Sequence, residues 1–218
     1  MKLFVDTADI NDIETIAQWG VLAGVTTNPS LLNQVDGSPD DIYRRICELV
    51  KGPVSAEVVA ESRGEMIDEG VRLAAIHEHI VVKLPTSAEG LAATAVLASK
   101  GIRVNMTLCF TAPQALLAAA SGAAFVSPFV GRYDDIGNNG IECLQEIVEA
   151  LMASHYDTEV LAASIRTPVQ VTEAARMGAD IATIPPKVFY QMLQHPLTNA
   201  GLVKFNEDAA ARKARQAG

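Results

Sequence analysis

One lysine stands in a sequence environment where an ammonium group is costly. Lys83 lies in the aliphatic run HIVVKLP, residues 79–85, whereas the other lysines fall in the first strand, at helix ends or in the last helix and tail. Burial of an unpaired ammonium group is unfavourable and therefore favours the neutral amine. A neutral amine can form a Schiff base with a carbonyl, and the imine is an electron sink for cleavage of an adjacent carbon–carbon bond. Two alternatives stay open: a structural ion pair with Asp6 or Glu57, and a lysine that binds phosphate.

Two carboxylates end other predicted strands and so accompany this lysine. Asp6 follows the first apolar run, and Glu57 lies in the third. Schiff-base chemistry requires proton transfer during carbinolamine dehydration, during bond cleavage and in the reverse steps, and two acids can divide that work. Nearby anions favour protonated lysine while desolvation opposes it, and the sequence leaves open which effect dominates.

Arginines and a serine in the loops after the sixth and seventh predicted strands indicate a phosphate site. Arg132 lies in SPFVGR, while Ser164 and Arg166 lie in SIRTP, just before Pro168 in the first turn of a predicted helix. Guanidinium groups, a hydroxyl and a helix amino terminus together bind phosphate. The alternative for each arginine is a surface salt bridge.

Eight short apolar runs alternate with segments that have apolar residues at helical spacing. The predicted strands are KLFVDT, VLAGVTT, PVSAEVV, HIVVKLP, IRVNMT, AAFVSPF, EVLAAS and DIATIP. The predicted helices are Ile10–Trp19, Asp40–Val50, Gly64–Ile76, Glu89–Ser99, Ala112–Ala120, Ile141–Ala153, Val169–Met177 and Val188–Leu193. This alternation predicts an α/β fold, a (β/α)8 TIM barrel with an additional C-terminal helix. A doubly wound open sheet is the rival, but DTAD stands where its Gly-rich phosphate motif would follow the first strand.

Glycine separates helix from strand at five predicted junctions. These are Gly20, Gly52, Gly101, Gly122 and Gly178. We expect each glycine to end its helix in the left-handed conformation.

Polar residues cluster at the predicted carboxyl ends of the strands, where barrel enzymes place their chemistry. They are Asp6, Thr26, Asn28, Glu57, Lys83, Asn105, Thr107, Ser127, Arg132, Ser164 and Arg166. Residues two apart on a strand point the same way, so Thr26 and Asn28 share a face, as do Asn105 and Thr107. We expect most of these side chains to face one cavity. The alternative for each is a residue that caps a helix or satisfies a turn.

The composition limits the domain organisation and the partners. The chain has 218 residues, 49% of them hydrophobic, and a formal net charge of −9, which argues against nucleic acid and anionic membranes. We expect a single domain over residues 1–218. Its tail, residues 198–218, is predicted to be a helix with Leu202, Val203 and Phe205 on its apolar side. That side packs either on another subunit or on the barrel itself.

Location and cofactors are inferred from the cysteines and from missing motifs. The three cysteines form no CxxC pair, and Asp6 comes too early for a secretory core, so we expect a cytoplasmic protein. The uncharged stretch Val104–Gly131 is long enough to cross a bilayer, but prolines and polar residues interrupt it, so no membrane contact is expected. HExxH, GxGxxG and Walker motifs are missing, and the histidines lack ligand spacing. We therefore expect no metal and no cofactor.

Five motifs resemble those of the short-form transaldolase family, which also includes the fructose-6-phosphate aldolases. They are FVDTAD, GVTTNPSLL, VVKLP, SPFVGR and AASIRTP. The resemblance runs collinearly from about residue 1 to residue 205. It implies a barrel in which a lysine on the fourth strand forms a Schiff base with a ketose phosphate, without a cofactor.

The resemblance also implies a role for each candidate residue. Lys83 would form the Schiff base, and Asp6 would be the acid/base for the hydroxyl at the cleaved bond. Glu57 and Thr107 would position and activate the catalytic water. The implied substrate-binding residues are Thr26, Asn28, Asn105, Ser127 and Phe129, with Arg132, Ser164 and Arg166 holding the phosphate.

Two positions separate the activities within that family. Aldolase members carry glutamine where Glu57 stands and tyrosine where Phe129 stands, whereas transaldolases resemble this chain at both. Release of a dihydroxyacetone unit needs a proton donor such as a tyrosine hydroxyl, which Phe129 lacks. We therefore expect transfer of that unit from sedoheptulose 7-phosphate or fructose 6-phosphate to an aldose phosphate. A lyase that releases dihydroxyacetone and a non-catalytic sugar-phosphate-binding barrel are the alternatives.

The resemblance further implies a homo-oligomer, with pentameric rings that stack into decamers and a terminal helix that reaches a neighbouring subunit. The doubled proline in TIPPKVF differs from the pattern expected of relatives, in the loop after the eighth strand.

Overall fold

The computed structural model describes residues 1–216, and its eight parallel strands form a closed barrel. The strands follow one another in chain order, and the last pairs with the first. They are β1 (Lys2–Asp6), β2 (Leu22–Thr26), β3 (Val54–Glu57), β4 (Ile80–Pro85), β5 (Val104–Cys109), β6 (Phe125–Pro128), β7 (Glu159–Ala162) and β8 (Ile181–Ile184). The predicted TIM barrel is confirmed.

Helices alternate with these strands, and an additional helix ends the described chain. Within residues 1–216 they are α1 (Ile10–Ala17), α2 (Pro29–Leu32), α3 (Pro39–Val50), α4 (Arg63–Ala74), α5 (Ala88–Ser99), α6 (Ala112–Ala120), α7 (Val130–Asp134), α8 (Gly140–Ala153), α9 (Pro168–Arg176), α10 (Pro186–Leu193) and α11 (Pro196–Gln216). Side-chain oxygens set several of the helix starts by accepting from backbone N–H groups of the first turn. The capping residues are Asp9, Asn28, Ser38, Ser62, Ser87, Thr111, Asn139 and Thr167.

Two short helices and the last connections add detail that periodicity did not provide. Helices α2 and α7 have four and five residues, too few to show a helical repeat. Pro185 alone connects β8 to α10, and Pro186 opens that helix, where proline is favoured. Helix α11 begins two residues before the predicted tail, whose residues 217 and 218 lie outside the described part of the chain. That the whole chain forms one domain stays a prediction.

The core has two parts because alternate residues of each strand point to opposite sides of the barrel wall. The larger part packs strands against helices, and Val5, Val82 and Val126 belong to it. The smaller part consists of Phe4, Val81, Phe125, Leu161, Ala163 and Ile181. Phe4 and Phe125 meet edge to face with ring centroids 6.4 Å apart. These side chains fill the barrel, so chemistry is confined to its ends.

The glycine junctions agree with the prediction at four of five positions. Positive φ angles are found at Gly20, Gly101, Gly122 and Gly178. The prediction for Gly52 is wrong, because Lys51 takes the left-handed conformation with φ of 53° and ends α3. Gly52 is needed for another reason: a Cβ there would lie 2.3 Å from the carbonyl oxygen of Ala23 in β2.

The uncharged stretch Val104–Gly131 contains β5, α6, β6 and the start of α7. Among residues 1–216, every helix is too short or too polar to cross a bilayer.

Candidate active site

Lys83 lies in β4 with its amine near the carboxyl end of the barrel, and the residue is only 5% exposed. Its Nζ donates to Oε2 of Glu57 at 2.9 Å and to the carbonyl oxygen of Thr27 at 3.1 Å. Glu57 is the register partner of Lys83 in the β3–β4 pair, so the sheet itself brings the two side chains together. The ion pair that the sequence left open is therefore present, and it provides the amine with an adjacent proton acceptor.

Asp6, at the end of β1, is held by a chain of hydroxyl groups. The hydroxyl of Thr26 donates to Oδ1 of Asp6 at 2.6 Å, and the hydroxyls of Thr26 and Thr183 lie 2.6 Å apart. A threonine hydroxyl has one hydrogen, and that of Thr26 goes to Asp6. Thr183 must therefore donate to Thr26, which fixes the direction of the chain.

Loss of water around its carboxyl raises the pKa of Asp6 above the ordinary value. The hydrogen bond from Thr26 and the charge of Lys83 act in the opposite direction, and the charge of Glu57 adds to the rise. The barrel mouth thus holds two carboxylates in different environments. The raised pKa equips Asp6 to exchange protons with a bound ligand.

A cavity of about 130 Å³ opens at this end of the barrel. Its lining residues are Asp6, Thr26, Asn28, Lys83, Ser127, Phe129, Arg132, Leu161, Ala163, Ser164 and Thr183. Leu161 and Ala163 also belong to the smaller part of the core, inside the barrel. The cavity therefore combines an amine, a carboxyl, several hydroxyls and a guanidinium with an apolar lining.

Asn28 and Asn105 support the cavity in different ways. Asn28 caps α2 by accepting from the backbone N–H of Leu31 at 3.0 Å, and it also lines the cavity. Asn105 is fully buried and does not line it. Its Nδ2 donates to the hydroxyl of Ser55 at 3.1 Å, and its Oδ1 accepts from the hydroxyl of Ser127 at 2.6 Å. Asn105 thereby orients Ser127, which does face the cavity.

Thr107 and Glu57 are not among the residues that line the cavity. The side chain of Glu57 is 19% exposed, while Thr107 is fully buried. The hydroxyl of Thr107 has no hydrogen-bond partner within residues 1–216. A buried hydroxyl usually has one, so this atom is suited to a small polar molecule.

Phe129 and Arg132 form one side of the cavity. The guanidinium carbon of Arg132, in α7, lies 5.1 Å from the ring centroid of Phe129, within cation–π range. Phe110 packs edge to face on the same Phe129 ring, with the ring centroids 6.0 Å apart. The stacked ring helps to hold the guanidinium at the cavity.

Ser164 and Arg166 are placed differently with respect to the cavity. Ser164 lines the cavity with a left-handed backbone, φ 58°, whereas Arg166 is absent from the lining. Nη1 and Nη2 of Arg166 donate to the two carboxylate oxygens of Asp135, the second over 2.6 Å. That hydrogen bonding keeps the pKa of Asp135 below its ordinary value. The salt bridge that the sequence left open for Arg166 is thus present.

Several residues around the site have little or no sequence signal. Thr183 is the main omission, since it lines the cavity and donates to Thr26. Its signal was a single hydroxyl in the otherwise apolar strand Ile181–Ile184, which β propensity alone explains. Asp135, the partner of Arg166, carried no signal because it follows helix α7 and does not lie at the end of a strand.

Other reactive groups are scarce among the described residues. Burial raises the pKa of Cys47 and of Cys109 to about 12, which leaves both as unreactive thiols. Within residues 1–216, no three His, Cys, Asp or Glu side chains gather closely enough to hold a metal ion.

Comparison with known proteins gives full-length matches. The family model described as Transaldolase/Fructose-6-phosphate aldolase matches residues 3–218. A probable transaldolase of Symbiobacterium thermophilum is 54% identical over 215 residues, covering 99% of this chain and 100% of the relative. A probable transaldolase of Thermus thermophilus is 55% identical over 217 residues, covering 95% and 97%. Among solved structures, a thiamine phosphate pyrophosphorylase from Pyrococcus furiosus has a TM-score of 0.59 at 15% identity, with coverage of 84% and 85%. That last likeness concerns the fold alone.

Proposed function

Because this chain belongs to the transaldolase/fructose-6-phosphate aldolase family, we propose that it transfers a dihydroxyacetone unit between sugar phosphates through a Schiff base on Lys83. The donor is sedoheptulose 7-phosphate or fructose 6-phosphate, and the acceptor is an aldose phosphate such as glyceraldehyde 3-phosphate or erythrose 4-phosphate. The family and the named relatives support a transaldolase enzyme and do not favour the aldolase alternative.

The observation that carries the proposal is the position of the Lys83 amine. It is buried, lines the cavity and lies 2.9 Å from a carboxylate oxygen that can take its proton. Transfer of the ammonium proton to Glu57 leaves a nucleophilic amine. Nζ then adds to the donor's C2 carbonyl, and loss of water yields the protonated imine.

Asp6 acts as the base for bond cleavage. Its carboxylate takes the proton of the C4 hydroxyl, the C3–C4 bond breaks, and that electron pair enters the imine to form an enamine. The aldose phosphate leaves with the new aldehyde group. A raised pKa suits this residue, because a base is most efficient when its pKa approaches the working pH. The same proton returns to the new hydroxyl when the enamine attacks the acceptor aldehyde.

Glu57 and Thr107 act on the water that enters and leaves the imine. Glu57 is the carboxylate nearest Nζ, and the hydroxyl of Thr107 is buried without a partner within residues 1–216. A water bound to the threonine hydroxyl and activated by the carboxylate hydrolyses the imine and frees the product ketose.

The remaining candidate residues bind the sugar phosphate. Thr26, Asn28 and Ser127 offer hydrogen-bonding groups to the donor's hydroxyls, and Asn105 holds Ser127 in place. Arg132 and Ser164 face the cavity and receive the phosphate, joined by Arg166 when it leaves Asp135. Phe129 gives the enamine an apolar surface with no proton to donate.

Reductive trapping tests the Schiff base. Borohydride added with fructose 6-phosphate is expected to leave a covalent adduct on Lys83, located by peptide mass spectrometry. Lys83→Met is expected to remove the adduct, while Lys100→Met, at an exposed lysine that ends α5, retains it. Intact fructose 6-phosphate binding without an adduct would favour the non-catalytic barrel.

Turnover with and without acceptor separates transferase from lyase. With fructose 6-phosphate alone we expect glyceraldehyde 3-phosphate to stop at about one molecule per active site, because the enamine waits for an aldehyde. Addition of erythrose 4-phosphate is expected to restore steady turnover. Continued release without acceptor would establish the lyase instead.

We also propose a cytoplasmic homo-oligomer that works in pentose phosphate metabolism. Helix α11 supports the assembly because Leu197, Leu202, Val203 and Phe205 are each more than half exposed on it. A pentamer or a decamer follows from the resemblance to short-form relatives. Light scattering on Phe205→Ser is expected to show smaller particles than the parent at equal concentration, and equal masses would count against α11 as the contact.

A further inference from the structure

Arg166, which the proposed phosphate site requires, is already paired with a carboxylate of the chain, that of Asp135. Asp135 follows α7 and accepts from both terminal nitrogens of Arg166. This two-pronged pairing uses the same end of the guanidinium that binds phosphate in other proteins. Arg166 consequently does not line the cavity that Arg132 and Ser164 face.

Packing covers the Nε edge of the Arg166 guanidinium, so a ligand can approach it only at the end that carries Nη1 and Nη2, the end paired with Asp135. A Cβ on Gly131 would lie 2.7 Å from Nε of Arg166 and 2.3 Å from the carbonyl oxygen of Ser164, so the α7 backbone covers the Nε edge. The backbone N–H of Gly131 donates to that carbonyl at 3.0 Å, which holds the two loops together. A phosphate therefore meets Arg166 at the end that Asp135 holds.

Asp135 is also negatively charged and exposed enough for a phosphate to displace it from Arg166. The hydrogen bond from Arg166 lowers its pKa first, and the positive charges of Arg166 and Arg132 lower it further. Its side chain is 48% exposed, so it can turn into water when released. The neighbouring Asp134 is fixed, since its oxygens accept from the backbone N–H of Gly140 and from Nε2 of Gln170.

We propose that Asp135 is a specificity-determining residue that competes with the substrate's phosphate for Arg166. The inference rests on the proposed role of Arg166 in phosphate binding. A phosphate carries about −1.5 to −2 charges at neutral pH against −1 for the carboxylate, and it displaces Asp135. A sugar end without phosphate leaves the ion pair intact. The exchange weakens the hold on phosphorylated ligands and thereby speeds release of the product.

Titration calorimetry with inorganic phosphate tests the competition on four full-length proteins: the parent, Asp135→Asn, Arg166→Gln and the double variant. Exposed ion pairs are weak, so we expect Asp135→Asn to bind phosphate about two- to fivefold more tightly than the parent. In the Arg166→Gln background the same change is expected to have little effect. Asp135→Ser, whose side chain is too short to reach the guanidinium, is expected to match Asp135→Asn.

Three other outcomes would overturn the proposal. Weaker phosphate binding by Asp135→Asn would make Asp135 a support that orients Arg166. If Asp135→Asn tightened phosphate binding equally in the parent and in Arg166→Gln, the effect would be a general loss of negative charge. If Arg166→Gln bound phosphate as well as the parent, the phosphate role of Arg166 would itself be wrong, a failure that the parent and single-variant data reveal without Asp135. Borohydride trapping on Lys83 is independent of all three.

Discussion

Glu57 and Lys83 are direct partners in the β3–β4 ladder, and 2.9 Å separates Oε2 of the carboxylate from Nζ of the amine. Strand register, rather than a mobile loop, therefore places a proton acceptor beside the nucleophile. The pair is already formed before any substrate enters, so the amine does not depend on a conformational change to find its base.

Glu57→Gln tests this partnership. The amide preserves shape but cannot take the ammonium proton or activate water, and loss of a general base lowers rates by about 10²–10⁴-fold. We expect kcat for transfer from fructose 6-phosphate to erythrose 4-phosphate to fall by at least about 10²-fold. Glu146→Gln makes the same charge change at an exposed position of α8 and is expected to leave kcat unaltered. Similar rates in both variants would contradict the assignment.

Asp6→Asn is expected to stabilise the protein while abolishing turnover. The fold favours protonated Asp6, so this contribution to stability is complete below the unfolded pKa of 3.8 and is lost as pH rises through the raised folded pKa. At neutral pH the ionised carboxyl is therefore unfavourable, and a neutral amide that still accepts from Thr26 relieves it. Thermal unfolding should show a higher Tm, by about 2–4 °C for each kcal/mol gained.

The gain from Asp6→Asn should shrink as the pH is lowered toward 4, because the parent then becomes neutral as well. Asp157→Asn, at an exposed site, provides the matched control and should show no such pH dependence. A lower Tm for Asp6→Asn at neutral pH would mean that attraction to Lys83 outweighs desolvation.

Thr183→Val removes the hydroxyl that donates to Thr26. Without it the Thr26 hydroxyl can turn away from Asp6, and the pKa of Asp6 should rise because it loses a hydrogen bond that lowers it. We expect kcat/KM to fall by about 2–10-fold, as for one hydrogen bond, and the acid limb of its pH profile to move to higher pH. Thr183→Ser should restore both. A slower enzyme with an unchanged pH profile would indicate a packing role alone.

Phe129→Tyr is expected to raise acceptor-free cleavage of fructose 6-phosphate. A phenol at this cavity wall can protonate the enamine, which lets dihydroxyacetone leave without an aldehyde, and we expect a gain of about tenfold or more. Phe110→Tyr is the matched control, because Phe110 packs on Phe129 without lining the cavity. Unchanged acceptor-free release in Phe129→Tyr would mean that the missing proton donor does not explain retention of the unit.

Much of the fold and part of the site could be predicted because their signals are local. Alternating apolar runs and helical spacing give the eight βα units, and an ammonium in an aliphatic run singles out Lys83. Parity on β2 correctly places Thr26 and Asn28 at the cavity. These inferences need only neighbouring residues in the chain.

The rest depends on contacts between distant segments. Asp135 and Arg166 are 31 residues apart and meet only because the loops after β6 and β7 are adjacent in the closed barrel. Lys51, rather than Gly52, takes the left-handed conformation, and Gly52 is required by its close approach to Ala23 in the neighbouring strand. Thr183 resembles any β-branched strand residue until β8 is placed against β1.

The link from Thr183 through Thr26 to Asp6 joins the eighth, second and first strands. Lys83 is synthesised before the midpoint of the chain, whereas the hydroxyl of Thr183 can reach Thr26 only after the last strand has been made and has paired with the first. Ser127 on β6, Leu161 on β7 and Thr183 on β8 line the cavity together with Lys83, so capture of the sugar and alignment of the acid both require the completed barrel.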